Sequence, residues 1–231
     1  MTPIEILAES TTPDGAHIRL AREQGNLVIR VNQISLMSSR VQGSEMQMAE
    51  ISCSGLRANA QVLVGGLGMG YTLRATLDQL GPSGKVVVAE LLPVLVEWNR
   101  GPLGPLAGHP LQDSRVHLVQ EDVGRVLRRG QGQYDVVLLD VDNGPDAFTA
   151  PQNAWLYGQQ GLRAILGALR PGGTVVVWSA WPSPPFEAAM RRAGFQASTQ
   201  RVYARGAIKK GPRHFLFVGR RPQAGTKVTV S

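Results

Sequence analysis

The sequence has little cysteine and no long apolar run. Cys53 is its one cysteine, which excludes an internal disulfide and leaves no Cys-x-x-Cys or Cys/His spacing for a metal. In "MAEISCSGL" we expect this thiol to be buried in a helix rather than to act as a nucleophile. No segment approaches the roughly 18 apolar residues that a membrane helix needs. The first residues also lack the basic start of a signal peptide. The sequence therefore predicts a globular cytoplasmic protein with no membrane partner and no bound metal.

Positive charge is in excess, with a formal net charge of +7. Scattered arginines are typical of a solvated surface, although a basic cluster can also bind an anionic partner. No aromatic-interleaved motif or long basic run indicates nucleic-acid binding, so we expect no nucleic-acid partner. A non-enzymatic RNA-binding module stays open as the weakest alternative. The basic residues gather in the C-terminal third, at Arg191, Arg192, Arg201, Arg205, Lys209, Lys210 and Arg213.

The residue pattern changes near residue 43. Before it, "AHIRLAREQGNLVIRVN" alternates apolar and polar residues around Gln24-Gly25-Asn26, which predicts a β-hairpin. After it, "SEMQMAEISCSGL" has helical spacing, with Ser44 as a candidate N-cap. We therefore expect a small N-terminal β region at 1–43, a main domain at 44–221 and a tail at 222–231.

The main domain alternates short apolar runs with helical stretches. The runs "QVLVGG", "KVVVAE", "RVHLVQED", "YDVVLLD" and "TVVVWS" are continuous rather than alternating, as in strands of a parallel sheet covered on both faces. At the end, "FQASTQRVYA" and "RHFLFVGRR" follow one another without a helix and should pair antiparallel. The pattern predicts a doubly wound α/β domain, Rossmann-like and of the methyltransferase type.

Three glycines stand at every second position behind the first of these strands. They are Gly66, Gly68 and Gly70 in "VLVGGLGMGYTL". Backbone without side chains at a strand end lets a ligand approach the first N–H groups of the following helix. The dinucleotide pattern G-x-G-x-x-G would need glycine where Tyr71 stands, which disfavours nicotinamide and flavin cofactors. There is also no P-loop motif.

Acidic residues follow the next two strands. Glu90 ends "VVVAE", about 20 residues after Gly70, where a carboxylate can accept hydrogen bonds from both ribose hydroxyls. Asp122 could accept the exocyclic amine of adenine and also cap the next helix. Together these residues predict an adenosine site that fits S-adenosylmethionine or a close relative. The candidate cofactor-binding residues are Gly66, Gly68, Gly70, Glu90, Leu91, Asp122, Val123 and Asp140.

The fourth strand ends in the acidic stretch "YDVVLLDVDNGPDAF". Turn formation explains Gly144 and Pro145, but not Asp140, which ends an apolar strand. Carboxylates at this edge would face a sulfonium cation, which they could stabilise, or they could orient an amine or remove its proton. The candidate catalytic residues are Asp140, Asp142 and Asn143.

These motifs resemble the spermidine synthase (polyamine aminopropyltransferase) family, within the class I S-adenosylmethionine-dependent methyltransferase-like superfamily. "VLVGGLGMGYTLRATL" is similar to the family's glycine-rich motif, "VVVAEL" to its ribose-binding strand, and "YDVVLLDVDNGPDAF" to its catalytic stretch. The resemblance runs from about Gly43 to Arg220. It implies a homodimer and transfer of an alkyl (aminopropyl) group from a sulfonium donor to a small-molecule nucleophile, with Asp140 as base.

The sequence also departs from that family. The acid of the family's glycine motif is matched by Gly68, and the tyrosine of its Tyr-x-Glu helix by Met48 before Glu50. The second acid of the catalytic loop is matched by Asn143. Decarboxylated S-adenosylmethionine with aminopropyl transfer, and S-adenosylmethionine with methyl transfer to a small, anionic substrate, therefore both stay open. The candidate substrate residues are Trp181, Tyr157, Arg205 and Lys209.

Overall fold

The structure is a computed structural model that describes residues 4–12, 15–32, 34–141, 144–145, 154–205 and 211–223. Its strands and helices form two sheets and the layers that cover them. The strands are β1 (Glu5–Thr11), β2 (His17–Glu23), β3 (Asn26–Val31), β4 (Ile34–Ser38), β5 (Gln61–Gly65), β6 (Lys85–Ala89), β7 (Val116–Val119), β8 (Tyr134–Leu139), β9 (Leu169–Ser179), β10 (Gln196–Tyr203) and β11 (Arg213–Arg220). The α-helices are α1 (Gly43–Cys53), α2 (Tyr71–Gln79), α3 (Pro93–Arg100), α4 (Val123–Arg129), α5 (Ala154–Tyr157), α6 (Gln159–Ala168) and α7 (Pro184–Arg192).

The N-terminal region is an antiparallel sheet in the order β1-β2-β3-β4. Strands β2 and β3 form the hairpin that the sequence predicted, and Gln24 and Gly25 make its turn with positive φ. The sheet is larger than the predicted hairpin, because β1 and β4 add a strand on each side. Both of these outer pairings contain a register shift, which interrupts the alternating pattern that would have indicated them.

The main sheet has the strand order β10-β11-β9-β8-β5-β6-β7. Strands β5 to β9 run parallel, whereas β11 pairs antiparallel with β9 and with β10. This arrangement confirms the predicted α/β class and the predicted C-terminal strand pair. The carboxyl ends of the parallel strands meet at one edge, which is called the carboxyl edge below.

Buried apolar side chains lie on both faces of the main sheet. One cluster joins the sheet to α1, α2 and α3, and the other joins it to α4, α5, α6 and α7. A third cluster packs Ile18, Leu20 and Ile29 of the N-terminal sheet against Leu95 and Trp98 of α3. Burying each such side chain contributes about 1.5–3 kcal/mol, which holds the N-terminal sheet beside the carboxyl edge.

Some local features differ from the sequence-based expectation. The stretch "NAWLYGQQGLRAILGALR" has the spacing of one crossover helix, but the structure divides it into α5 and α6. Helix α6 packs closely on the end of α5, since a Cβ at Gly161 would lie 2.2 Å from the Leu156 carbonyl oxygen. Ser44 lies inside α1 and does not cap it, since Gln42 occupies the N-cap position. Cys53 is buried in α1 as expected, and burial raises the pKa of its thiol to about 11. None of the helices described here is both long and apolar enough to cross a membrane.

Candidate active site

The glycine loop joins β5 to α2 at the carboxyl edge. Gly66, Gly68 and Gly70 all have positive φ, a backbone region that residues with a side chain rarely occupy. A Cβ at Gly66 would lie 2.2 Å from the backbone oxygen of Asp140, so glycine allows the two strand ends to approach. The first and third glycines are thus required by packing as well as by backbone conformation, since a Cβ at Gly70 would lie 2.9 Å from Asn99 Oδ1.

Glu90 follows β6 and points at the glycine loop. Its Oε2 accepts the Leu67 N–H at 2.8 Å, and its Oε1 accepts the Leu92 N–H at 2.8 Å. The side chain is buried, and burial raises the pKa of Glu90 although these backbone N–H groups oppose the rise. The Leu91 and Gly68 N–H groups also stabilise the carboxylate, so four backbone donors face Glu90.

The other predicted cofactor residues line the same edge. Leu91 is 51 % exposed beside Glu90, which makes it an apolar surface next to a buried acid. Asp122 caps α4 by accepting the Arg125 N–H at 3.1 Å, as the sequence predicted. Val123 is buried against Gly65, where a Cβ would lie 2.8 Å from Val123 Cγ2.

Asp140 lies directly after β8, between the glycine loop and α2. Its N–H donates to the Gly65 carbonyl at 2.9 Å, and the Thr72 hydroxyl donates to its Oδ2 at 3.0 Å. The side chain is half-buried. The predicted base and the predicted ribose ligand Glu90 are therefore brought to opposite sides of one glycine loop.

A second carboxylate belongs to this region, and sequence reasoning missed it. Glu45 lies in the first turn of α1, and the Ser44 hydroxyl donates to its Oε2 at 2.6 Å. Burial raises the pKa of Glu45 to about 7, and the nearby charge of Asp140 adds to the rise. Met48 is instead packed in the core, and Glu50 is exposed on the same helix. In a sequence, a glutamate next to a serine at the start of a helix indicates only helix capping. Nothing local therefore marked Glu45 as a site residue.

Ser44 is held in turn by two aromatic side chains. The Trp178 indole N–H donates to Ser44 Oγ at 3.1 Å, and His214 Nδ1 lies 2.9 Å from the same oxygen. The two rings meet edge to face with centroids 4.7 Å apart. Burial lowers the pKa of His214, which keeps the ring neutral near pH 7. Since the hydroxyl has one proton and gives it to Glu45, we assign the ring proton of His214 to Nδ1.

Two further residues shape the glycine loop and were also missed. Met37 of β4 covers Gly68, where a Cβ would lie 3.0 Å from its Sδ and its Cε. Asn99 of α3 donates through Nδ2 to the Gly68 carbonyl at 2.8 Å and to the Leu95 carbonyl at 2.8 Å. Both come from elements distant in sequence, so only the tertiary fold brings them to the loop.

The predicted substrate residues lie in different surroundings. Trp181 is 53 % exposed in the turn after β9, where its backbone N–H donates to Ser179 Oγ at 3.2 Å. Tyr157 is buried and packs edge to face on Phe186, with ring centroids 5.7 Å apart. Arg205 is half-buried after β10, and the pairing of Tyr203 with Arg213 places the end of β10 and the start of β11 at the carboxyl edge. Predictions for Asp142, Asn143 and Lys209 fall outside the described residues.

Metal-ligating side chains are not grouped in the part of the chain that the structure describes. No cluster of three or more His, Cys, Asp or Glu side chains there could hold a metal ion. The arrangement consists of the Asp140 and Glu45 carboxylates, the glycine loop, and the buried Glu90 on the far side of that loop. Chemically, it can bind a polyol such as ribose and hold or accept a proton beside it.

Comparison with known proteins gives relatives for half of the chain. No protein-family model matches it. It is 36% identical over 120 residues to polyamine aminopropyltransferase 2 of Pseudomonas aeruginosa, a segment that is 50% of this chain and 32% of that protein. It is 32% identical over 126 residues to polyamine aminopropyltransferase 1 of Streptomyces coelicolor, a segment that is 54% of this chain and 23% of that protein. The matched segments are therefore a third or less of those relatives.

Solved structures extend the likeness to nearly the whole fold. A spermidine synthase in complex with the transition-state analogue AdoDATO superposes with a TM-score of 0.75 at 14% identity, covering 94% of this chain and 72% of the other. The spermidine synthase of Thermotoga maritima has a TM-score of 0.73 at 16% identity, covering 94% and 73%. The resemblance predicted from the motifs is confirmed: the chain is similar in sequence to polyamine aminopropyltransferases over about half of its length, and similar in fold to spermidine synthases over nearly all of it.

Proposed function

We propose that this chain is an aminopropyltransferase that uses decarboxylated S-adenosylmethionine as donor and a small amine of the polyamine class as acceptor. The observation that carries this proposal is the position of Asp140, whose backbone contacts Gly66 while Glu90 accepts from the same loop. Asp140 as base and Glu90 as ribose ligand, on two sides of the glycine loop, suit a reaction whose donor contains adenosine. The names of the sequence relatives support the reaction type.

The donor fits the residues that line the glycine loop. Glu90 would accept hydrogen bonds from the two ribose hydroxyls, and Leu91 would cover one face of the adenine. Asp122 uses one oxygen lone pair to cap α4. Its remaining lone pairs would accept a hydrogen bond from the exocyclic amine of adenine. The donor supplies an activated carbon on a sulfonium, which leaves as a neutral thioether.

Asp140 would then accept the proton of the attacking ammonium. The freed nitrogen lone pair forms the new bond to the carbon next to sulfur, and the carbon–sulfur bonding pair leaves with the sulfur. Because the carbon is already activated, the protein mainly has to align the nucleophile and exclude water. A positioned base contributes a rate factor of about 10²–10⁴ to such a step.

Methyl transfer from S-adenosylmethionine is the second candidate. The observation that favours it is Gly68, which has no side chain and is covered by the Met37 thioether. At that point the donor's tail would meet an apolar group rather than a carboxylate for an aminopropyl ammonium. An anionic acceptor bound by Arg205 and Lys209 belongs to this alternative.

Calorimetric titration with both donors, followed by mass spectrometry of the products, tests the proposal. We expect tight binding of the decarboxylated donor and, with an added diamine, formation of methylthioadenosine. The Asp140→Asn variant should bind the donor and release product about 10²–10⁴ times more slowly. Formation of S-adenosylhomocysteine from S-adenosylmethionine alone would overturn aminopropyl transfer in favour of methylation.

Two lesser expectations accompany this function. A homodimer should appear in sedimentation velocity at twice the mass of 24.9 kDa. If the chain were instead an RNA-binding module, a gel shift would appear at low salt and weaken as salt rises. We expect no such shift.

A further inference from the structure

Asn99 lies on α3 and contacts the glycine loop through its side-chain amide. Its Nδ2 donates to the Leu95 carbonyl at 2.8 Å, one turn back on the same helix, and to the Gly68 carbonyl at 2.8 Å. Only 1 % of the residue is exposed. Because both carbonyls can only accept, they fix which end of the amide carries the nitrogen. The oxygen Oδ1 faces Gly70, where a Cβ would lie 2.9 Å away.

The Gly68 carbonyl belongs to the central peptide of a tight turn. The Gly70 N–H donates to the Leu67 carbonyl at 2.8 Å and so closes a four-residue β-turn. Gly68 is the second residue of this turn and has a φ of +51°. β-turns of different types differ in how this central peptide is rotated. By bonding to the carbonyl of that peptide, Asn99 stabilises one rotation over the others.

The same turn supplies hydrogen bonds to Glu90. The Leu67 N–H donates to Glu90 Oε2 at 2.8 Å, and the Gly68 N–H also stabilises this carboxylate. Gly68 is therefore fixed at both of its polar groups, by Glu90 at the N–H and by Asn99 at the carbonyl. Because Glu90 is buried, water cannot readily replace a backbone donor that moves away when the turn rotates.

Packing alone does not explain an asparagine at this position. Its Oδ1 is buried and accepts no hydrogen bond from the residues that the structure describes. A buried acceptor without a partner destabilises the fold, and an apolar side chain of similar size would avoid that penalty. What Asn99 provides and an apolar residue could not is the pair of hydrogen bonds from Nδ2, one of which holds the turn.

We propose that Asn99 is a positioning residue for the nucleoside of the donor, because it holds the turn that orients Glu90 toward the ribose. This inference rests on the proposed function for the role of Glu90 and adds a residue that acts through it. Asn99 need not touch the donor. Its loss should therefore weaken donor binding and leave the chemical step nearly unchanged.

Amide hydrogen exchange followed by NMR tests the effect on the turn without any ligand. Asn99→Leu removes both donor bonds at similar side-chain volume. We expect the Leu67 N–H to exchange about tenfold faster or more in this variant, because the turn that carries it opens more often. Ser52→Ala is the matched control, since Ser52 Oγ is also buried and donates to the Met48 carbonyl at 2.8 Å. There the Leu67 N–H should exchange as in wild type.

Calorimetry with methylthioadenosine, together with steady-state kinetics, measures the effect on binding. Asn99→Leu should bind this nucleoside about tenfold more weakly or less, and KM for the decarboxylated donor should rise by a similar factor. At saturating donor, kcat should stay within about threefold of wild type. Asn99→Ala removes the same two donors with a smaller side chain and should show the same split, whereas Ser52→Ala should behave as wild type. A lower kcat at unchanged nucleoside affinity would overturn the inference.

A double-mutant cycle determines whether Asn99 acts through Glu90. Glu90→Gln alone should weaken methylthioadenosine binding about tenfold or more, because the ribose loses a charged acceptor. Adding Asn99→Leu should weaken it by no more than about a further twofold. Losses that multiply would show that the two residues act independently, which contradicts the inference.

The outcomes separate this inference from the proposed function. If wild type and Asn99→Leu bind methylthioadenosine equally well, or if the Leu67 N–H exchanges equally fast in both, the inference is wrong and the proposed function stands. If wild type does not bind methylthioadenosine, the proposed function is overturned, and the inference that depends on it is overturned with it.

Discussion

Two aspartates at opposite ends of β8, Asp135 and Asp140, have different surroundings. Asp135, near the start of β8, accepts from Arg57 at 3.1 Å, from Arg170 at 2.5 Å and from the Gln61 N–H at 2.7 Å, all at Oδ2. Asp140, one residue past the other end, accepts from the Thr72 hydroxyl and has the Glu45 carboxylate as a charged neighbour. The first carboxylate bonds to two guanidinium groups, whereas the charge of the second raises the pKa of a neighbouring acid.

We infer from this difference that Asp135 is a structural carboxylate, in contrast to the chemical role proposed for Asp140. A charge that only joins elements is most stable when cations and backbone N–H groups surround it, as at Asp135. A charge that has to bind a cationic substrate or accept a proton must keep part of its interaction energy for the ligand. The charge of Asp140 raises the pKa of Glu45, an unfavourable interaction of the kind that is common at functional sites.

The largest expected effect is on the rate of transfer. Asp140→Asn should lower kcat by about 10²- to 10⁴-fold, because the amide cannot accept the proton, while nucleoside affinity stays within twofold. Asp135→Asn should leave kcat within twofold when measured below its unfolding temperature. Both are read by mass spectrometry of the nucleoside product. An equal loss of kcat in the two variants would show that Asp140 has no role in transfer that Asp135 lacks.

The next effect concerns the contact that positions Asp140. Gly66→Ala would place a methyl 2.2 Å from the Asp140 carbonyl oxygen, whereas Gly132→Ala, also at positive φ, meets no atom within 4 Å. We expect Gly132→Ala to cost about 1–2 kcal/mol from backbone strain alone. Gly66→Ala should cost about 1–3 kcal/mol more and weaken methylthioadenosine binding at least tenfold. Urea unfolding and calorimetry measure the two quantities, and equal costs would contradict the close approach.

A smaller effect is expected on stability at alkaline pH. The folded-state pKa of Glu45, about 7, lies above its ordinary value of 4.5, so its stabilising contribution is complete below pH 4.5 and is lost as pH rises through 7. Glu45→Gln cannot ionise, and at pH 8 it should be more stable than wild type by up to about 3 kcal/mol. Near pH 4 the two should be alike. Urea denaturation across this range checks the sign, and a variant less stable at pH 8 would contradict it.

The smallest effect lies at the structural end of β8. Asp135→Asn removes the charge that joins Arg57 and Arg170, and we expect a loss of about 1–3 kcal/mol in the free energy of unfolding. Methylthioadenosine affinity should not change. A loss of nucleoside binding in this variant would mean that the two ends of the strand are coupled. Thermal unfolding and calorimetry on the same preparation distinguish the two results.

Residues close together in sequence made much of this fold and part of its site predictable. The apolar runs, the glycines behind β5 and the acids behind β6 and β8 are local patterns that predict the strands and the functional residues at their carboxyl ends. Glu45 and Met37 could not be found in this way, because their role depends on how α1 and β4 pack against the main sheet. The outer strands β1 and β4 were missed for a related reason, since register shifts break their alternation.

The central claim is that the glycine loop and Glu90 bind an adenine nucleoside beside Asp140. A crystal structure of the protein with methylthioadenosine tests it most directly. We predict both ribose hydroxyls within hydrogen-bond distance of Glu90, the adenine against Leu91 and its amine near Asp122, and the sulfur facing Asp140. A nucleoside bound elsewhere, or a ribose turned away from Glu90, would contradict the account.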